Sequence, residues 1–176
     1  MSNMKNKRTI GLWIAAFIAF LGLLVYVFFT YIGGYNSIVG RSMEPTLKDG
    51  MLVYVSKLAG DKQAVKQGDI IIYTLSSSNE SEFISRVIAT EGDSVMIAKG
   101  SVQVNGKEYV LPNIPNPVTA IFEGGVAKEG MMMIVPAGSV YVLGDNRMRS
   151  ADSRDFGFIK KENIQGVYQY CYSHCQ

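Results

Sequence analysis

Between Thr9 and Tyr31 the chain reads TIGLWIAAFIAFLGLLVYVFFTY, 23 residues without Lys, Arg, Asp, Glu or Pro. A helix of that length rises about 34 Å, enough to cross a bilayer core of about 30 Å. All its faces are apolar, which suits lipid better than a soluble core that contacts only one side. A cleaved secretory signal has an apolar stretch of only about 7–15 residues and a small-x-small site behind it. Here YIGGYNS follows instead. The reading is an uncleaved transmembrane helix over residues 9–32. Lys5, Lys7 and Arg8 precede it, and no charge follows until Arg41. By the positive-inside rule residues 1–8 are a cytoplasmic N-terminus, and the rest of this single-pass cell-membrane protein is extracytoplasmic. Trp13, Tyr26, Tyr31 and Tyr35 suit the two headgroup layers.

The 176 residues leave room for one modest domain beyond the anchor. Residues 33–37 read as a short Gly-containing linker, and residues 38–176 as the domain. With Lys5, Lys7 and Arg8 set aside, 14 of the 17 basic residues face 15 acidic ones. That balance provides no electrostatic footprint for nucleic acid. Short apolar runs then alternate with turn signals: MLVYV after KDG, DIIIYT after KQG, EFISRVIAT before EGD, then SVMIA, SVQV, MMMIV, VYVLG and GVYQYCY. Asn105-Gly106 marks a tight hairpin into KEYVL. β-Branched and aromatic residues dominate and no long helical period appears, so the expected fold is mainly β and antiparallel. Residues 113–130, rich in Pro and Gly, read as a long loop.

Cys171 and Cys175 close the chain in CYSHCQ. An oxidising exterior permits a disulfide between them, and free thiols or other partners stay open at this point. His174 between them makes a metal site conceivable, but three clustered ligands at a terminus are thin support, and no metal or cofactor is expected.

Four stretches carry chemistry: GRSMEPTL (Gly40–Leu47), QGDIIIY (Gln67–Tyr73), FISRVIATEGD (Phe83–Asp93) and GDNRMRSADSRDFGF (Gly144–Phe158). Each alone has an ordinary explanation as a turn or a braced surface loop. All four in this order behind one N-terminal anchor resemble the type I signal peptidases, over nearly the whole chain. The resemblance implies that Ser42 stands at the nucleophile position, followed by Met43. It implies that Ser150 stands where a serine orients the general base, and that Asp152 and Arg154 brace the site beside Asp145 and Arg147. Ile38, Gly40, Met43, Leu47, Phe83 and Ile84 match positions that bind the substrate strand, the apolar ones flanking shallow pockets for small side chains; ordinary β core explains those equally well. Gly40 matches a position that often supplies a second oxyanion donor, here with backbone alone.

The chain departs from the family at Ser85, which stands where the family has its lysine base. A serine hydroxyl attacks only when a base takes its proton, and a lysine does so when burial lowers its pKa from about 10.4. A neutral alcohol accepts a proton very weakly, and Arg86 stays charged. Loss of a positioned base typically costs on the order of 100- to 10,000-fold. Glu82 falls on the opposite face of the strand from Ser85, and His174 is far off in sequence. This leaves two expectations. One is a signal peptidase acting on exported precursors at the outer membrane face with impaired proteolysis. The other is a non-catalytic relative that keeps the peptide groove, since the family includes dyad-deficient members associated with pilus subunits. Partners on either reading are exported precursors and membrane lipid.

Overall fold

The structure is a computed structural model, described over residues 2–28, 33–57, 65–75, 81–111, 118–121 and 123–175. Helix α1 (Ser2–Val27) already includes the basic stretch. Its segment Ile10–Val27 has a mean hydropathy of 2.5 and none of it is buried, so it is a candidate membrane span. Residues 29–32, the end of the expected span, lie outside the described residues.

The remainder is built from antiparallel strands: β1 (Gly33–Ser37), β2 (Leu52–Ser56), β3 (Ile70–Thr74), β4 (Glu82–Thr90), β5 (Ser94–Ala98), β6 (Ser101–Val104), β7 (Lys107–Glu108), β8 (Met132–Ile134), β9 (Ser139–Leu143), β10 (Ile159–Lys160) and β11 (Ile164–Ser173). One sheet runs β1-β2-β11-β3-β4-β9-β10, and a second runs β7-β6-β5-β8. A one-turn helix, α2 (Ser153–Phe156), follows β9. The mainly β, antiparallel expectation holds.

Residues 33–37 are not a linker. They form β1, which pairs with β2 from Gly33 opposite Ser56 to Ser37 opposite Leu52. The pentapeptide GGYNS has little strand propensity of its own. The pairing is supplied by the turn that brings β2 back beside it, where Ile38 N–H donates to Met51 O at 2.8 Å and Gly50 N–H to Ile38 O at 2.9 Å. Cys171 and Cys175 form a disulfide behind β11.

β4 holds the domain together because it contributes to all three hydrophobic clusters. Ile84 packs with Ile38, Met43, Leu47, Ile70 and Ile72. Phe83 and Val87 pack with Ile71, Tyr73, Val142 and Ile159. Past a register shift between Val87 and Ala89, Ile88 and Ala89 join Val95, Ile97, Tyr141 and Leu143. Strict alternation along a strand serves two faces. The bulge lets the far half of β4 face the second sheet while the near half frames the candidate site.

Candidate functional site

The register of the sheet assembles the site. β3 sets Ile71 opposite Ser85 and Tyr73 opposite Phe83. Their side chains therefore share one face, and Tyr73 and Phe83 stack with centroids 5.8 Å apart. The hydroxyls of Tyr73 and Ser85 lie 3.3 Å apart, both buried. β9 pairs Leu143 with Arg86 and Val142 with Val87. Gly144 follows directly on the last residue of β9. A Cβ on Gly144 would run into the side chain of Ser150 and come within 2.6 Å of the Ser42 carbonyl oxygen. Glycine is needed here so that three chain segments can meet. Ser42 and Ser150, distant in sequence, thus meet at Gly144.

The Ser42 turn is held from both sides. Met43 and Leu47, each 1% exposed, plug it into the core. Asn146 N–H donates to Ser42 O at 2.9 Å, and Asn146 Nδ2 to Arg41 O at 3.0 Å. The Thr46 hydroxyl donates to Asp145 Oδ2. Met43 and Leu47 pack in the core with Ile38, Ile70 and Ile72, and neither lines the cavity beside the turn. Ile38, Phe83 and Ile84 do line a cavity of about 120 Å³, together with Ser37, Val39 and Ile72. The cavity lies between the end of β1 and the start of β4. β9 pairs with β4 only from Arg86 onward, so Glu82–Ser85 keeps an open edge among the described residues. The Gly40 N–H donates to Asp49 Oδ1 at 2.8 Å.

Two buried ion pairs frame the serines. Arg86 Nε and Nη2 donate to Asp145 at 2.8 and 2.7 Å, and Nη1 donates to Gly68 O at 2.8 Å. Burial opposes the charge on Arg86, but the bonds to Asp145 outweigh it and the net shift is upward. Asp152 accepts from Arg154 Nε at 2.8 Å, Arg154 Nη2 at 2.9 Å, Ser150 Oγ at 2.7 Å and Gly144 N–H at 3.0 Å. It also caps α2, whose Asp155 accepts in return from the Asp152 N–H. Among the described residues Arg147 takes no carboxylate. Its Nε donates to Gly144 O and its Nη1 to Thr119 Oγ1, while burial lowers its pKa. Asp145 was grouped with Arg147 in sequence; in the fold its partner is Arg86, which the sequence presents only as the residue after Ser85.

The chemistry available is set by these bonds. Ser150 Oγ donates its proton to Asp152. Tyr73 is pushed well above its usual range, by burial first and against the pull of the Ser85 hydrogen bond, so it stays a neutral phenol. Among the described residues no amine, imidazole or carboxylate hydrogen-bonds the Ser42 hydroxyl. The described residues hold no group of three or more His, Cys, Asp or Glu placed for a metal ion. Tyr73 escaped the sequence reading because QGDIIIY and FISR meet only through the β3–β4 register.

A model of the family described as "Signal peptidase, peptidase S26" matches residues 10–173. Signal peptidase I of Bacillus caldolyticus is 31% identical, covering 98% of this chain and 94% of that protein. Signal peptidase I of Bacillus licheniformis is 32% identical, covering 95% and 90%. A crystal structure of a signal peptidase I from Enterococcus faecalis is 28% identical, with a TM-score of 0.46 over 58% of this chain and 95% of that one. With the family model spanning all four motif stretches, the chain belongs to the signal peptidase family, peptidase S26.

Proposed function

We propose that this protein binds exported precursor proteins at the outer face of the membrane, in the groove between β1 and β4, with its proteolysis strongly impaired. Membership in the signal peptidase family supports the substrate class. The basic residues ahead of the candidate span support a cytoplasmic N-terminus and an extracytoplasmic β domain. The open edge of β4 supports recognition by strand addition, in which main-chain bonds give affinity and pockets give specificity.

The observation that carries the impairment is the pairing of the hydroxyls. Ser85 turns to Tyr73 and Ser150 to Asp152, which leaves Ser42, among the described residues, with no group to take its proton. Ser42 then serves as part of the turn, and the groove remains usable without chemistry.

The test uses the full chain in detergent with a precursor bearing an Ala-x-Ala site. Wild type should bind it and cleave it at least about 100-fold more slowly than Ser85→Lys. Wild-type cleavage at a rate matching Ser85→Lys, abolished in Ser42→Ala, would show an intact protease with an unrecognised base.

A further inference from the structure

The chain's two cysteines, Cys171 and Cys175, are joined in one disulfide that the precursor groove does not use. A cross-link stabilises a fold mainly by constraining the unfolded chain, and the constraint grows with the loop it closes. This one spans a sequence separation of 4 and closes over Tyr172, Ser173 and His174 alone. Both sulfurs belong to one chain end, since Cys171 lies in β11 and Cys175 follows shortly after that strand stops at Ser173. The bond therefore ties no strand to another, and its contribution to stability is at the low end of what a disulfide provides.

The two sulfurs differ in access. Cys171 packs, partly buried, against the cluster that holds Ile38, Val53 and Ile72, whereas Cys175 is exposed. An incoming thiolate therefore meets the Cys175 sulfur first. Cys171 is the sulfur that leaves, and the Ser173 carbonyl oxygen lies 3.5 Å from it, placed to accept from its S–H once the bond is reduced. His174, exposed, sits next to Cys175 in the chain. An adjacent imidazolium favours the thiolate form of a cysteine. Register sets the pair near the groove. Val53 of β2 stands opposite Cys171 on one side and Asn36 of β1 on the other, and Asn36 lines the groove cavity. Neighbouring strands lie about 4.8 Å apart, so Cys171 is about 10 Å from the groove wall.

We infer that Cys171–Cys175 is an exchange disulfide that oxidises paired thiols on exported chains. The substrate class rests on the extracytoplasmic function proposed above; the exchange chemistry does not. A thiolate of the exported chain attacks Cys175 Sγ and forms a mixed disulfide. The bond to Cys171 breaks with its electron pair on the Cys171 sulfur, which takes up a proton. The second thiolate of the exported chain then attacks that chain's own sulfur in the mixed disulfide, and Cys175 leaves and is protonated. Two electrons and two protons pass from the exported chain to the cysteine pair, with one disulfide lost and one made. Exposed disulfides have the more oxidising potentials and are the exchangeable ones, whereas structural disulfides resist reduction.

The experiment mixes the oxidised full chain, in detergent and with air excluded, with an equimolar reduced peptide carrying a Cys-x-x-Cys pair. Thiols on protein and peptide are counted after acid quenching. One peptide disulfide should appear for each pair of protein thiols, at a rate at least about 10-fold above that of oxidised glutathione at equal disulfide concentration. The variant carrying Cys171→Ser and Cys175→Ser together should oxidise none of the peptide. A protein disulfide that stays intact, or that reacts no faster than oxidised glutathione, is an inert cross-link and overturns the exchange. Peptide oxidation that persists in the double variant overturns it as well. Precursor binding enters none of these readouts, so failure of the exchange leaves the groove standing and failure of the groove leaves the exchange standing.

Discussion

The braces around the site and the serines inside it differ in completeness. Arg86–Asp145 and Asp152–Arg154 are buried, bidentate and tied further into the backbone of Gly68, Gly144 and Ala120. The three serines beside them share hydroxyl chemistry alone, and two of those hydroxyls are engaged with Tyr73 and Asp152. The difference separates the requirements of the fold from those of hydrolysis. Removing one half of a buried ion pair leaves a stranded charge, so the braces are held by stability whatever the protein does. A base at position 85 carries no such structural penalty. A buried serine can satisfy itself on a neighbouring phenol, and the fold closes over it.

That contrast breaks most sharply at Asp152, which joins the brace to the serines. Asp152→Ala should lower the unfolding free energy by about 3–5 kcal/mol, read from urea denaturation, because Arg154 is left buried and uncompensated. A loss under about 1 kcal/mol would mean that the brace is not structural.

Gly144→Ala probes the meeting point itself. The added methyl has to displace Ser150 or the Ser42 turn, at a cost of about 1–3 kcal/mol, and precursor binding should weaken with it. Unchanged stability and binding would mean that the segments do not meet as closely as described.

Tyr73 sharpens the comparison through pH. Tyrosine in the unfolded chain titrates near pH 10, and burial raises Tyr73 above that. Between the two values the unfolded chain has released a proton that the folded protein keeps, so stability falls as pH rises. Tyr73's contribution is fully present below about pH 10 and is lost above it. Tyr73→Phe should reduce the stability loss between pH 9 and pH 11 by about 1 kcal/mol, measured as the change in denaturation midpoint at each pH. An identical slope in the variant would place Tyr73 in a more open environment.

The smallest effect is expected at Ser42 itself. Ser42→Ala should change stability by less than about 0.5 kcal/mol and leave precursor affinity unaltered. A large stability loss would mean that its hydroxyl has a structural partner and that the serine centre is braced like the pairs around it.

Legibility in the sequence tracked the range of the interactions. The candidate span, the strand-and-turn rhythm and the four motif stretches could be read because each is set by residues close together in the chain. The role of residues 33–37 could not. GGYNS looks like a link in isolation, and only β2 folding back from Leu52 makes it a strand. Met43 and Leu47 looked equally suited to groove and core until the turn was closed over them. Arg86 and Asp145, 59 residues apart, have no local signal that would pair them.

The sequence by itself determined the apolar run, the antiparallel character of the β domain and the missing amine at position 85, since each depends on residue identity and local spacing. The tertiary structure decided that Ser85 faces Tyr73, that Gly40 N–H is taken by Asp49, and that Ile38 and Ile84 line one cavity. Those are matters of register between strands distant in the chain, where a shift of one residue moves a side chain to the other face.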